Sequence, residues 1–361
     1  SRSPLSCKER TERLSSAGRE PVVRTTATDE SEVDANCSGM TVRNFFERYN
    51  RAVLPSSSIV IRALNEAEHL PALFSGLLRQ TTTPNEIILV DSGSTDDSVA
   101  IAEAHGARIV RINPDDFSFG RALNVGCEAA SSEILVFLSA HVYPLDEHWL
   151  KNLLQPFEST EVVSVYGRQT GDHRSHFSEI QLMRQWFPER SIDQQTHPFC
   201  NNANCAVRRS WWERLPYDEQ LTGLEDLDWA SRAMADGGKL SYRADAIIVH
   251  VHQETWNRTR NRYRREAFAM MRISPGERLG AMTALWLCIA NIARDYVAAV
   301  PRRSLMRNLL SIPSFRTAQY LGAWEGFRMT GEISAELRRR FYYPKRITPI
   351  NERLAAAEDR Q

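Results

Sequence analysis

Three carboxylates, Glu225, Asp226 and Asp228, fall within four residues of "LTGLEDLDWASR". Like charges side by side raise the pKa of one member, which suits a general base working near neutral pH. The same cluster also suits a helix N-terminus, whose dipole favours anions and whose first turn is commonly acidic. Two histidines, His250 and His252, alternate in "AIIVHVHQETW". Residues two apart on a strand face one side, so both rings can meet one ion, although a strand histidine can equally be a packed core residue. A further histidine, His141, stands where the apolar run of "EILVFLSAHVYP" stops abruptly, after Ser139 and Ala140.

These residues need elements to hold them, and from Ser56 onward the sequence supplies a regular alternation. "SSIVIRAL", "NEIILVDSGS", "ARIVRI" and "EILVFLSA" read as strands. "EAEHLPALFSGLLRQ", "DDSVAIAEAHG", closed by Gly106, and "GRALNVGCEAAS" read as the helices between them. Such alternation predicts an α/β fold with a mainly parallel sheet covered by helices on both faces, and ligands of such sheets bind beyond the carboxyl ends of the strands. Those ends are Asn65-Glu66, Asp91-Ser92-Gly93-Ser94 and Ser139-Ala140-His141, and each is polar. By itself "VDSGSTDDS" is also a good capped turn. A GxGxxG after the first strand and a GxxxxGK[ST] are both missing, which argues against a dinucleotide-binding domain and a P-loop.

The 361 residues, 42% hydrophobic and 25% charged, suffice for one large or two modest globular domains. Lys+Arg and Asp+Glu both total 45, so no net charge points to nucleic acid as a partner. The six cysteines form no CxxC pair and read as reduced thiols of a cytoplasmic protein. Residues 1–39 contain no Phe, Trp or Tyr and are rich in Ser, Thr, Arg and Glu, which predicts a disordered leader without a secretory signal.

Five ordered segments carry a resemblance: "SIVIRALNEAEHL", "EIILVDSGSTDDS", "GRALNVGCEAASSEILVFLSAH", "NNANCAVRRSWWERLPYDEQLTGLEDLDWASR" and "IIVHVHQETW". Over about residues 56–271 the chain resembles the family 2 glycosyltransferases of the GT-A fold, with weaker similarity in "IPSFRTAQYLGAWEGFR" to bacterial surface-polysaccharide enzymes, rhamnosyltransferase-like ones included. The resemblance implies a GT-A nucleotide-diphospho-sugar transferase domain over residues 40–272, followed by a helical region over 273–361. It implies a donor site in which Asp91 accepts from the base ring, while Glu66 and the backbone around Ala63 hold base and ribose. Arg121 and Asn124 match positions near the nucleotide and donor sugar, and the strand-end residues Asn65, Ser92 and Ser139 complete the candidate donor site. The family usually has Asp-x-Asp where this chain has Ser139-Ala140-His141, so histidine replaces the carboxylate that holds a divalent ion, Mn²⁺ or Mg²⁺. His252 matches the family's later metal ligand, with His250 the second choice.

By the same resemblance Asp226 is the general base and Glu225 binds or supports the acceptor. The reaction implied is an inverting transfer from a nucleotide-diphosphate sugar to a hydroxyl of a glycan or lipid-linked saccharide. No QxxRW follows the Glu-Asp pair, so one sugar per encounter is expected rather than a polymer. A module that binds a nucleotide sugar without turnover is the alternative. The arginines of "WNRTRNRYRREAFAMMR" and the uncharged run from Leu279 to Ala293 admit two readings, a packing domain or a peripheral contact with the inner face of the cell membrane. The run is too short to span a bilayer, which needs about 20 apolar residues.

Overall fold

The computed structural model describes residues 54–331 together with Phe341 and Tyr342. The segment read as a leader lies outside the described residues, as do Cys7 and Cys37. Eight strands form one sheet: β1 (Ser57–Ala63), β2 (Glu86–Asp91), β3 (Arg108–Arg111), β4 (Ile134–Ser139), β5 (Val142–Pro144), β6 (Val162–Thr170), β7 (Asn204–Arg208) and β8 (Lys239–His250), in the order β3-β2-β1-β4-β7-β6-β8-β5. β3, β2, β1 and β4 are parallel. β7 then runs antiparallel to β4 and β6, β8 returns parallel to β6, and β5 closes the edge antiparallel to β8. The first half is the predicted parallel sheet; the whole is mixed.

The strands read as unbroken apolar runs because both faces are covered. Val60, Leu135 and Phe137 face one core cluster, while Ile59, Ile61, Ile134, Val136 and Leu138 face the other. Helices α1 (Leu70–Leu78), α2 (Ser98–Ala104), α3 (Phe119–Ala129) and α4 (Trp149–Leu154) connect the early strands. The helix expected from Glu66 begins only at Leu70, because Pro71 falls in its first turn, where its fixed φ and missing N–H cost nothing. Glu66 is thereby left on the loop at the end of β1. The four cysteines among the described residues, Cys127, Cys200, Cys205 and Cys288, are free thiols.

The later helices are α5 (Phe177–Trp186), α6 (Arg209–Arg214), α7 (Glu225–Ala235), α8 (Trp256–Ile273), α9 (Ala281–Ala299), α10 (Leu305–Asn308) and α11 (Ser311–Gly326). Four of the arginines of α8 are engaged with neighbouring groups, while Arg258 and Arg272 are exposed. Arg262 binds Glu179 and Glu254, Arg260 pairs with Glu325, Arg264 lies over Phe341 and Arg265 over Phe119. α9 is fastened to α11 by a buried pair, in which Arg316 donates to both oxygens of Asp295 at 2.7 and 3.0 Å.

α8 and α11 cross at close range because α11 offers Gly322 and Gly326, one turn apart. A Cβ at either would collide with the carbonyl oxygen of Arg260 or Arg264 on α8. Gly322→Ala should therefore destabilise the protein by about 1–3 kcal/mol, the usual cost of overpacking against an unyielding backbone. This outcome is expected even though alanine is intrinsically the better helix former by about 1 kcal/mol. Urea titration checks it, and a gain in stability would show that the two helices can part without cost.

Candidate active site

Three parallel strands end side by side and their loops are tied together. Asn65, held in the left-handed region at φ 56°, accepts from the Thr95 backbone N–H at 2.7 Å, and its own N–H donates to Ser94 Oγ at 2.9 Å. The Ser92 N–H and hydroxyl both donate to the Ala63 carbonyl, at 3.1 and 3.2 Å. Asp91 is buried at the end of β2, its carboxylate accepting from the backbone N–H groups of Gly93 and Ser94 at 3.2 and 3.0 Å. Two donors leave further lone pairs on that carboxylate, so it can still accept from a ligand. The Asn65 side chain is committed to Thr95 and shapes the loop, a difference from its expected place among donor contacts.

β5 and β8 bring the histidines together. Val142 pairs with His250, and the Val251 N–H donates to the His141 carbonyl at 3.1 Å, so His141 lies against the end of β8. Ring centroids are 5.0 Å apart for His141 and His250, 5.3 Å for His141 and His252, and 4.0 Å for His250 and His252. One ligand nitrogen from each ring lies within 4.8 Å of the others. The Nδ1 atoms are all engaged: His141 with Glu66 at 3.0 Å, His250 with Gln169 Oε1 at 2.7 Å, and His252 with Glu179 at 2.7 Å. A carboxylate or amide oxygen can only accept, so each Nδ1 carries a proton, and in a neutral ring Nε2 is the atom with the lone pair. His250 Nε2 is buried without a hydrogen-bond partner. A buried, unpaired imidazole nitrogen facing two others is the arrangement a cation completes.

Glu66, expected on base and ribose, stands against His141 Nδ1 in this structure. His250, the second choice in the sequence, sits in the cluster as fully as His252. Burial, followed by the neighbouring His252 and His141, holds His250 well below the usual imidazole pKa, in the neutral form that binds a metal. Burial alone would do the same to His252, but the Glu179 carboxylate raises it. Glu179 is 4% exposed and stays far below the usual carboxylate range because His252 and Arg262 outweigh the cost of burial. Gln169, Glu179 and Arg262 escaped the sequence reading, since each meets its histidine or acid only across a long stretch of chain.

The acidic pair is held separately. Leu224 in the left-handed region, at φ 56°, opens α7. Buried Glu225 accepts from Arg62 at 3.0 Å, and the Arg62 guanidinium lies 5.1 Å from the centre of the Phe119 ring. Arg62 is in register with Ser139 on β4, which brings this ion pair to the same strand ends. Half-buried Asp226 accepts from the N–H groups of Leu227 at 2.9 Å and Asn202 at 3.2 Å. Burial, and then the Glu225 charge, push its pKa up to about 7 against those two hydrogen bonds and Arg62. Buried Asn202 keeps an unpartnered side-chain nitrogen beside it.

α3 places Arg121 and Asn124 differently. Asn124 donates to the Tyr217 carbonyl and Glu219, and accepts from Trp212 Nε1 and the Tyr217 N–H, all at 2.9–3.0 Å. Every polar atom of its amide is satisfied within the protein, so it anchors the 212–219 segment. Arg121 pairs with Glu219 at 3.2 Å at the rim of a small hollow shared with Asp116 and Ser118.

A carboxylate whose folded pKa is raised binds a proton that the unfolded chain has released, so it lowers stability as pH rises between the two values. For Asp226 that window runs from about 3.8 to about 7. Asp226→Asn should raise stability at pH 8 by roughly 1–3 kcal/mol, a figure reduced for the water reaching a half-buried group, and change it little at pH 4. Thermal melts at the two pH values test this, and an equal effect at both would sink the electrostatic explanation.

Comparison with known proteins agrees with the fold. Residues 58–215 match the family model described as Glycosyl transferase family 2. The O-antigen chain rhamnosyltransferase WbaN of Salmonella anatum is 27% identical over 222 residues, covering 58% of this chain and 70% of the relative. The O-antigen chain rhamnosyltransferase RfbN of Salmonella typhimurium is 25% identical over 218 residues, covering 57% and 69%. Among solved structures, the mannosyltransferase PcManGT from Pyrobaculum calidifontis, in complex with GDP-Man and Mn²⁺, aligns with a TM-score of 0.52 at 16% identity, over 81% of this chain and 89% of that one, a likeness of fold. On these matches the sheet has a glycosyltransferase fold of GT-A type, and residues 58–215, which carry its parallel strand ends, are similar to glycosyl transferase family 2.

Proposed function

We propose that the protein transfers one sugar, with inversion, from a nucleotide-diphosphate donor to a hydroxyl of a saccharide acceptor, free or lipid-linked, in the building of a surface polysaccharide. The observation that carries this reading is Asp226, a half-buried carboxylate with a pKa near neutrality beside an ion-paired glutamate, at the ends of the strands that bind ligands in such sheets. The rhamnosyltransferase relatives favour the polysaccharide context. The work takes place in the cytoplasm, at the inner face of the cell membrane.

The nucleotide lies over the ends of β1 and β2, where Asp91 accepts from the base and the Ala63 and Ser92 backbone borders the ribose. Asp226 removes the acceptor proton, the freed oxygen attacks the anomeric carbon, and the bond to the diphosphate breaks with its electron pair on the leaving oxygen. Attack from the face opposite the leaving group inverts the carbon. Glu225, fixed by Arg62, keeps the Asp226 pKa high and borders the acceptor. Asn202 offers its free side-chain N–H to a sugar hydroxyl.

His141, His250 and His252 would hold a divalent ion, with Glu66, Gln169 and Glu179 fixing their rings. Three imidazoles suit Mn²⁺ better than Mg²⁺, which prefers oxygen ligands. When bound, the ion supplies Lewis-acid stabilisation of the departing diphosphate.

The deciding experiment is a screen of nucleotide sugars that measures nucleoside diphosphate release, with Mn²⁺, Mg²⁺ or chelator. One donor should be consumed with Mn²⁺ and spared in excess chelator; no release from any donor would favour a binding module. Asp226→Asn should lower turnover by about 10²- to 10⁴-fold while leaving nucleotide binding intact. Native activity should rise with pH as Asp226 loses its proton near pH 7 and level off above it. A flat profile from pH 5 to 9 would exclude Asp226 as base.

Glu179→Gln keeps shape but removes the charge behind His252. It should weaken Mn²⁺ binding, measured by calorimetry without substrate, by about 10- to 100-fold. Unaltered affinity would place the ion elsewhere.

A further inference from the structure

The outward face of α9 is apolar where a surface helix is ordinarily polar. Met282, Leu285, Trp286, Ile289, Val297 and Val300 follow one another at helical intervals, with exposures between 53% and 77%. Met306, Leu309 and Leu310 extend the surface past the end of the helix. The polar partner of the helix is on the inside instead, where Asp295 is buried against Arg316. A stripe of this extent, rather than scattered single residues, marks a contact surface.

Its charge says what it contacts. From Leu279 to Leu310 the single acidic residue is the buried Asp295, whereas Arg294, Arg302, Arg303 and Arg307 are exposed. Arg302 and Arg307 also line a cavity of about 410 Å³ with Arg184, whose one acid, Asp172, is paired with Arg174. Gln181 Nε2, on the same cavity wall, is buried without a partner. A second copy of this chain would set the same arginines against each other. An anionic bilayer satisfies both halves of the surface, its headgroups meeting the arginines and its acyl boundary the apolar stripe.

We infer that α9 and residues 300–310 form a docking face that lies on an anionic lipid surface, with Trp286 and Ile289 at the acyl–headgroup boundary and Arg302 and Arg307 on lipid phosphates. No helix among the described residues is long and apolar enough to cross a membrane, so the contact lies along the surface. This deepens the membrane placement proposed above and centres it on α9 rather than α8, where Arg260 and Arg262 are paired within the protein.

Flotation of the full chain with phosphatidylcholine vesicles, with and without phosphatidylglycerol, tests it. The native protein should float with the anionic vesicles and not with the neutral ones. Trp286→Ser with Ile289→Ser should lower binding by about tenfold or more, since two apolar side chains no longer enter the interface. Arg302→Gln and Arg307→Gln should each lower it by about fivefold, an effect lost in high salt. Donor hydrolysis without lipid should be unchanged in all of them, so failure to dock and failure of the transferase reading are separable. Equal binding to both vesicle types, or none, overturns the proposal. So does a double apolar variant that turns a dimer into a monomer while still floating, which would assign the face to self-association. Should that variant misfold by circular dichroism, the arginine variants alone decide.

Discussion

A buried carboxylate is among the costliest groups a protein can hold, and Glu179 is one, enclosed between His252 and Arg262. It remains charged only because both partners are present at 2.7 Å. Arg262 is in turn fixed by Glu254 at 2.8 Å, on the segment that leads from β8 into α8. The orientation of a candidate ligand ring therefore depends on a helix outside the sheet. α8 owes its position to the close crossing with α11, and α11 owes its own to the buried Arg316–Asp295 pair with α9. The C-terminal helices are in this sense the outer wall of the site, and a disturbance in their packing reaches the histidines through one ion triad.

The same dependence explains what could be read in advance and what could not. Strands β1, β2 and β4 and their polar ends were legible because each side of every strand is buried, which leaves an unbroken apolar run with a sharp stop. The pairing of Glu225 with Asp226 was legible from adjacency alone, although Arg62 as its cation was not, being 163 residues away in sequence. Glu179 and Gln169 meet their histidines across 73 and 81 residues, and no local pattern distinguishes them from ordinary polar residues of a helix and a strand. Glu66 and Asn124 also have partners that the sequence does not announce. Both have residue types suited to a ligand, but one is drawn to His141 and the other is saturated by the 212–219 segment. The arginines of α8 read as a surface because charge in sequence carries no record of its partner.

A cluster built of histidines, with His141 at a strand end, has its own electrostatics. Carboxylate ligands would place negative charge where a donor diphosphate must come. Here the three inner groups are imidazoles and the carboxylates of Glu66 and Glu179 stand one hydrogen bond behind two of them. The charge still orients the rings and raises the basicity of His252, where it is partly offset by Arg262. His250, backed by the neutral amide of Gln169, adds none. If it takes the ion proposed, such a site would repel an incoming diphosphate less than one with acids in contact and hold the cation less tightly, because neutral ligands contribute no Coulomb attraction of their own. The second row of acids thus compensates for what the first row lacks, which is why the buried Glu179, rather than any of the histidines, sets the terms on which the cluster can work.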